Sequence, residues 1–163
     1  MILDNLTVFS GAVSATGVLS GQAVNGAGNV ISTNTMDLGP LPLGGNQVGD
    51  FGAGEPIDIE ISVLTAPTGG TTVKFQLIQA DDAALSTNVQ VLVSTDDLPI
   101  ANLLLGTLVP LRFARVAPYT PKRYVGLRYV NTGAIATATY FSAIAESMTD
   151  VKNIFYRSGF TVT

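Results

Sequence analysis

Between Ile57 and Val63 the sequence alternates without a fault: Ile57, Ile59, Ile61 and Val63 are apolar, and Asp58, Glu60 and Ser62 are polar. Successive side chains of a strand point to opposite faces, so a period of two gathers the aliphatic residues on one side and the polar ones on the other. A helical period would scatter them. The segment therefore reads as a strand with a buried face and a wet face.

Arg123-Tyr124-Val125-Gly126-Leu127-Arg128-Tyr129-Val130 reads the same way, and its β-branched and aromatic residues suit a pleated, packed surface. Val125, Leu127 and Tyr129 form the core side. Tyr124 and the arginines face a rim or a partner, and Gly126 leaves room for a close approach to the backbone. Further strands are expected at 30–36, at Val73, Phe75 and Leu77, at 89–93, at 103–109, at 111–115 as an edge after Pro110, and at 135–145. Pro67-Thr68-Gly69-Gly70 predicts a tight turn that pairs the strands before and after it as an antiparallel hairpin. Another turn is expected at Asn131-Thr132-Gly133, and the glycines and prolines of 39–54 predict a long surface loop. Residues 10–28 are Gly, Ala, Ser and Val with few large side chains, and predict an extended arm or a loose loop.

Short strands at even spacing, turn signals between them and no long amphipathic helix define an all-β chain. The expected architecture is a jelly-roll-like antiparallel β-sandwich or barrel with an extended N-terminal arm. Residues 1–28 form the arm or an edge strand; residues 29–163 form one sandwich domain ending in a tail, a size that suits a single core. An immunoglobulin-like sandwich is disfavoured, because no Cys or Trp is present to form its usual core pin. Asp150 with Val151 and Ile154 is compatible with a helical turn, but a short extended tail anchored by Phe155, Tyr156 and Phe160 is the preferred reading.

Composition bears on function. Charged residues make up 12% of the chain, about half the usual fraction, and mean hydropathy is +0.40. A monomer so poor in charge has much surface suited to burial against other subunits or another protein. Charge is also segregated: no Lys or Arg precedes Lys74, while between Leu98 and Ala145 the only charges are Arg112, Arg115, Lys122, Arg123 and Arg128. Such an arrangement suits complementary pairing within the fold or between subunits. A pI near 4.5 and few neighbouring aromatics argue against nucleic acid. The candidate interface residues are the basic Arg112, Arg115, Arg123 and Arg128, the apolar Met1, Ile2, Leu3 and Phe9, and the aromatic Phe155, Tyr156 and Phe160.

The chain has no His and no Cys, so a Ser-His-Asp triad and a thiolate metal site are both unbuildable. Two carboxylates suffice for a glycosidase, and Glu55, Asp58, Glu60 and Glu146 are the candidates. Asp58 and Glu60, however, fit the polar face of a strand, and no aromatic sugar platform accompanies them. Asp81-Asp82 and Asp96-Asp97 offer oxygen ligands for calcium but lack the spacing of a dedicated loop, and Asp is common in turns for its own reasons. No phosphate-binding glycine pattern, signal-peptide pattern or spanning apolar run is present. No cofactor, metal, membrane or enzymatic activity is expected.

Several stretches, in order, resemble the capsid cement (decoration) proteins of tailed bacteriophages. They are Met1-Ile2-Leu3-Asp4-Asn5 with Val8-Phe9-Ser10; Ser32-Thr33-Asn34-Thr35-Met36-Asp37-Leu38-Gly39; Gly52-Ala53-Gly54-Glu55-Pro56; Arg123 to Tyr129; and Tyr156-Arg157-Ser158-Gly159-Phe160. The resemblance implies a jelly-roll-like domain that is made in the host cytoplasm and docks on the outside of the virion shell. It implies the major capsid protein and further copies of the chain, as homodimer or homotrimer, as partners, and no enzyme activity. A carbohydrate- or receptor-binding β module of a phage particle is the alternative.

Overall fold

A computed structural model describes residues 7–39, 49, 51, 56–114 and 120–145. Thirteen strands are found among them: β1 (Val8–Ser10), β2 (Ala12–Val13), β3 (Leu19–Ser20), β4 (Gln22–Ala23), β5 (Gly26–Ile31), β6 (Met36–Asp37), β7 (Ile57–Thr68), β8 (Thr72–Ala80), β9 (Gln90–Ser94), β10 (Leu98–Pro99), β11 (Leu108–Phe113), β12 (Tyr124–Ile135) and β13 (Thr137–Ala145). A 3-10 turn at Ile100–Asn102 separates β10 from β11.

All pairings are antiparallel, and the two main sheets pack face to face as a sandwich. The first runs β1-β13-β7-β11, with β4 sharing the β13 edge used by β1; the second runs β10-β8-β12-β5, with β9 also on β8 and β6 also on β12. Ile59, Ile61 and Val63 of β7 and Tyr140 of β13 meet Val73, Phe75 and Leu77 of β8 and Val125, Leu127 and Tyr129 of β12 in one core. Each such aliphatic or aromatic side chain contributes about 1.5–3 kcal/mol when fully buried. Phe75, Tyr129 and Tyr140 form its aromatic centre, with Phe75 edge-on to both tyrosines at 5.7 and 5.3 Å.

The expected faces are those observed: Ile59, Ile61 and Val63 are inside, as are Val125, Leu127 and Tyr129. The expected hairpin is not. β7 pairs with β13 and β11, whereas β8 pairs with β12, β9 and β10, so the Gly69-Gly70 turn carries the chain from one sheet to the other. Its companion crossing lies at Ala136, between β12 and β13; the expected Asn131-Thr132-Gly133 turn falls in the irregular last stretch of β12 before it. The two crossings touch. Gly70 adopts φ +69°, and a Cβ there would meet the Thr132 carbonyl at 3.0 Å. Glycine is required by both the backbone conformation and the space.

The loose arm expected over 10–28 is also corrected. This stretch supplies β2 to β4 and the start of β5, and Val24 is fully buried, so a division at residue 28 falls inside β5. Small side chains sufficed because the stretch is held by backbone pairing: Ala23 is opposite Thr139, and Gly28 is opposite Asn131. β11 begins at Leu108 rather than after Pro110, and Pro110 is accommodated because β11 is the edge of its sheet.

Candidate interaction surface

The second sheet is closed on its outside by the loop 81–89. Ile78, Ala80 and Leu85 form a small buried cluster there, with Tyr124 and Ile31 against it. Leu85 lies over Gly126, where an added Cβ would sit 2.5 Å from its Cδ1 and 3.0 Å from Ser32 Oγ. The close approach expected at Gly126 is thus made by the chain itself. Asp82 holds the loop by accepting from Ser86 N, Ser86 Oγ and Thr87 N at 2.9, 2.8 and 2.6 Å. These bonds lower its carboxyl pKa to about 2. Asp81 accepts from Asn88 and Lys122, and Asp97 pairs with Lys74 at 3.1 Å. Three of the four carboxylates weighed as calcium ligands therefore serve local structure.

Among the described residues the cations weighed as an interface patch are each engaged internally. Arg123 donates through Nε and an Nη to both oxygens of Asp37 at 2.8 Å and lies 5.0 Å from the centre of the Tyr124 ring. That pairing, helped by a bond from Gly39 N, lowers the Asp37 carboxyl to about 2. Arg128 donates to the Gln76 side chain, Lys122 pairs with Asp81, and Arg112 stands 3.7 Å from Asp58, its register partner on β7. Phe9 is part of the main core, so β1 is pinned by it. Met1, Ile2, Leu3, Arg115, Phe155, Tyr156 and Phe160 lie outside the described residues, as do Glu55 and Glu146.

Charge thus leaves little to offer a partner here; apolar side chains offer more. Leu103-Leu104-Leu105-Gly106 leads into β11. Leu103 turns into the core, leaving Leu104 64% and Leu105 73% exposed, and Leu108 follows at 56%. Three consecutive leucines before a glycine in a short loop cannot all point inward, and that was the available sequence signal.

The first sheet also has an apolar outer face. Register sets Leu108, Ser62 and Phe141 in one row, Pro110, Glu60, Ala143 and Val8 in the next, and Arg112, Asp58 and Ala145 in a third. The short β2–β3 hairpin covers one end, where Val13 and Leu19 pack on Val8, Phe141 and Ala143. Between Leu19 and Leu108 a groove of about 180 Å³ remains, floored by Phe141, Ala143 and Ala145 and edged by Glu60. Asp58, Glu60 and Ser62, expected to be wet, are half-buried in consequence.

These features define an antiparallel β-sandwich protein with self-paired charges and an apolar exterior concentrated around one sheet. The chain belongs to the Bbp16 family, whose model matches residues 18–145, and the family is of bacteriophage type. No curated protein matches it.

Proposed function

We propose that this chain is a virion structural protein, a capsid cement (decoration) protein that binds the outer surface of a phage shell and stabilises contacts between major capsid protein capsomers. The observation that carries the reading is the exposed trio Leu104, Leu105 and Leu108 in a protein whose described cations are already paired. Such a surface binds by removing apolar area from water rather than by charge. The bacteriophage-type family and the resemblance of the sequence to cement proteins favour a shell as the partner.

Each leucine offers about 1.5–3 kcal/mol on full burial, and the cost of association consumes several such contributions. One copy alone binds weakly. Copies joined as a dimer or trimer on a symmetric shell engage several sites at once, which multiplies the effect. The protein then acts as a clamp across capsomer seams and has no reaction to catalyse.

The test is to mix the purified protein with expanded shells that lack it. Saturable binding at a fixed ratio to the major capsid protein, with a raised shell melting temperature, is expected, and Leu104→Asp with Leu105→Asp lowers the affinity at least tenfold. Absence of stoichiometric binding removes the proposal.

A further inference from the structure

The groove on the first sheet and the exposed leucines form one surface. Leu108 belongs to both: it is 56% exposed beside Leu104 and Leu105, and it walls the groove. The loop that carries the leucines is held to β7. Gly106 N donates to the Val63 carbonyl at 2.8 Å, and Val63 N donates to that of Thr107 at 3.0 Å. Within the loop, Thr107 N donates to the Leu104 carbonyl at 2.9 Å. Leu104 and Leu105 are thus presented from a fixed position at one end of the groove, and a partner that covers them lies against the groove as well.

The groove has a selectivity of its own. Its volume is about 180 Å³ and its floor is Phe141, Ala143 and Ala145. A dry apolar cavity of about 150 Å³ holds one benzene ring, so the groove takes a single aromatic or branched aliphatic side chain. Its one charged lining residue, Glu60, is half-buried with no cation paired to it among the described residues. A carboxylate held against apolar surface gains from a cationic partner. Arg112, the nearest described cation in register, stands against Asp58 instead. A second copy of this chain is a poor source of that cation, because its described Lys and Arg residues are engaged in the same way.

We propose that this groove is a side-chain socket for the shell protein, and that it selects a segment carrying an aromatic or branched aliphatic side chain with a lysine or arginine next to it. The apolar side chain sits between Leu19 and Leu108, and its basic neighbour pairs with Glu60. This role rests on the shell binding proposed above and adds to it the chemistry of the segment that is bound. The leucines supply apolar area; Glu60 supplies the choice of partner.

Phenylbutylamine, an aromatic ring on a short chain ending in a cation, is a minimal stand-in for that segment. Titrated into the full-length protein, it is expected to shift the NMR methyl signals of Leu19, Leu108, Ala143 and Ala145 and to leave that of Val91, exposed on the second sheet, unmoved. Its affinity is expected to exceed that of phenylbutanol severalfold, with phenylbutyrate weaker still, and Glu60→Gln is expected to erase the preference. Equal affinity for the three compounds, or shifts that reach Val91, would overturn the proposal. So would groove signals that move with protein concentration alone, because a second copy would then be seated there.

The second measurement uses shells that lack the protein. Glu60→Gln, which keeps the shape and removes the charge, and Ala145→Leu, which fills the groove, are each expected to lower shell affinity severalfold with Leu104 and Leu105 unchanged. Variants that bind as tightly as the parent overturn the socket and leave binding through the leucines in place. Shells that do not bind the parent at all remove the proposed function, and the socket's shell partner with it.

Discussion

The Tyr129 hydroxyl, on the second sheet, donates a hydrogen bond to Ser10 Oγ on the first at 2.7 Å, spanning the sandwich through its interior. Ser142 Oγ, from the strand beside Ser10, lies 3.1 Å from the same hydroxyl. All three residues are buried. A phenol in an apolar core requires such partners, and here they tie β1, near the start of the chain, to β12 and β13 near its end. Tyr129→Phe is expected to cost about 1–2 kcal/mol, since two buried serines lose their shared partner. Urea unfolding will register a lower midpoint at an unchanged slope.

Tyr140 provides the contrast. Its hydroxyl is buried next to Tyr129, with the rings stacked at 5.5 Å, yet it has no hydrogen-bond partner among the described residues. Tyr140→Phe removes an unsatisfied polar group while keeping the ring, so it is expected to leave stability within about 0.5 kcal/mol of the parent or raise it. Running both variants in one urea series separates the two roles.

Burial pushes the Tyr129 phenol up to about 12. The unfolded chain ionises near 10, so the neutral phenol favours the fold fully below pH 10, and that contribution is lost as pH rises toward 12. Thermal unfolding across this window will show a falling melting temperature, with a shallower fall in Tyr129→Phe.

At the acid end the sign is reversed. Asp37 is lowered to about 2 by the bonds from Arg123 and Gly39, and Asp82 to about 2 by those from Thr87 and Ser86. Their contribution is present above about pH 4 and lost as pH falls toward 2. Asp37 is solvent-exposed and Asp82 only half-buried, so the effect is modest and screened by salt. Asp37→Asn combined with Asp82→Asn is expected to flatten the acid limb between pH 4 and pH 2, measured at low ionic strength.

Gly126→Ala forces Leu85 off the β12 backbone and is expected to cost about 1–3 kcal/mol, the usual range for an overfilled site. In a Leu85→Ala background the 2.5 Å clash is gone and only the Ser32 Oγ contact at 3.0 Å remains, so the same change will cost less. A double-mutant cycle by urea unfolding measures that coupling.

Which side of each strand faces inward was readable from alternation in 57–63 and in 124–130, because a period of two assigns faces whatever the partner. The partner itself was not readable. Pro67-Thr68-Gly69-Gly70 has the composition of a hairpin turn, yet its glycines serve a crossing that abuts Thr132 and Gly133, residues more than sixty positions away. The arm was misread for a related reason: β4 and β5 are fixed by backbone bonds to β13 and β12, and backbone bonds leave little trace in side-chain composition. Segregated charge correctly indicated complementary pairing, but Arg123 finds its acid in Asp37 of the same chain. The Leu104 and Leu105 pair carried a sequence signal; the groove beside Glu60 did not, because it arises only when three strands and a hairpin come together.

The pairing of β1, β4 and β5 with β12 and β13 sets a timetable for biosynthesis. β1, β4 and β5 have no ladder partner until the stretch 124–145 emerges, more than ninety residues after β5. Closure by such distant partners is slow, and the waiting intermediate displays unpaired edges. The sandwich is therefore sealed only once β12 and β13 have emerged, and any delay before that point exposes the nascent chain to association with its neighbours.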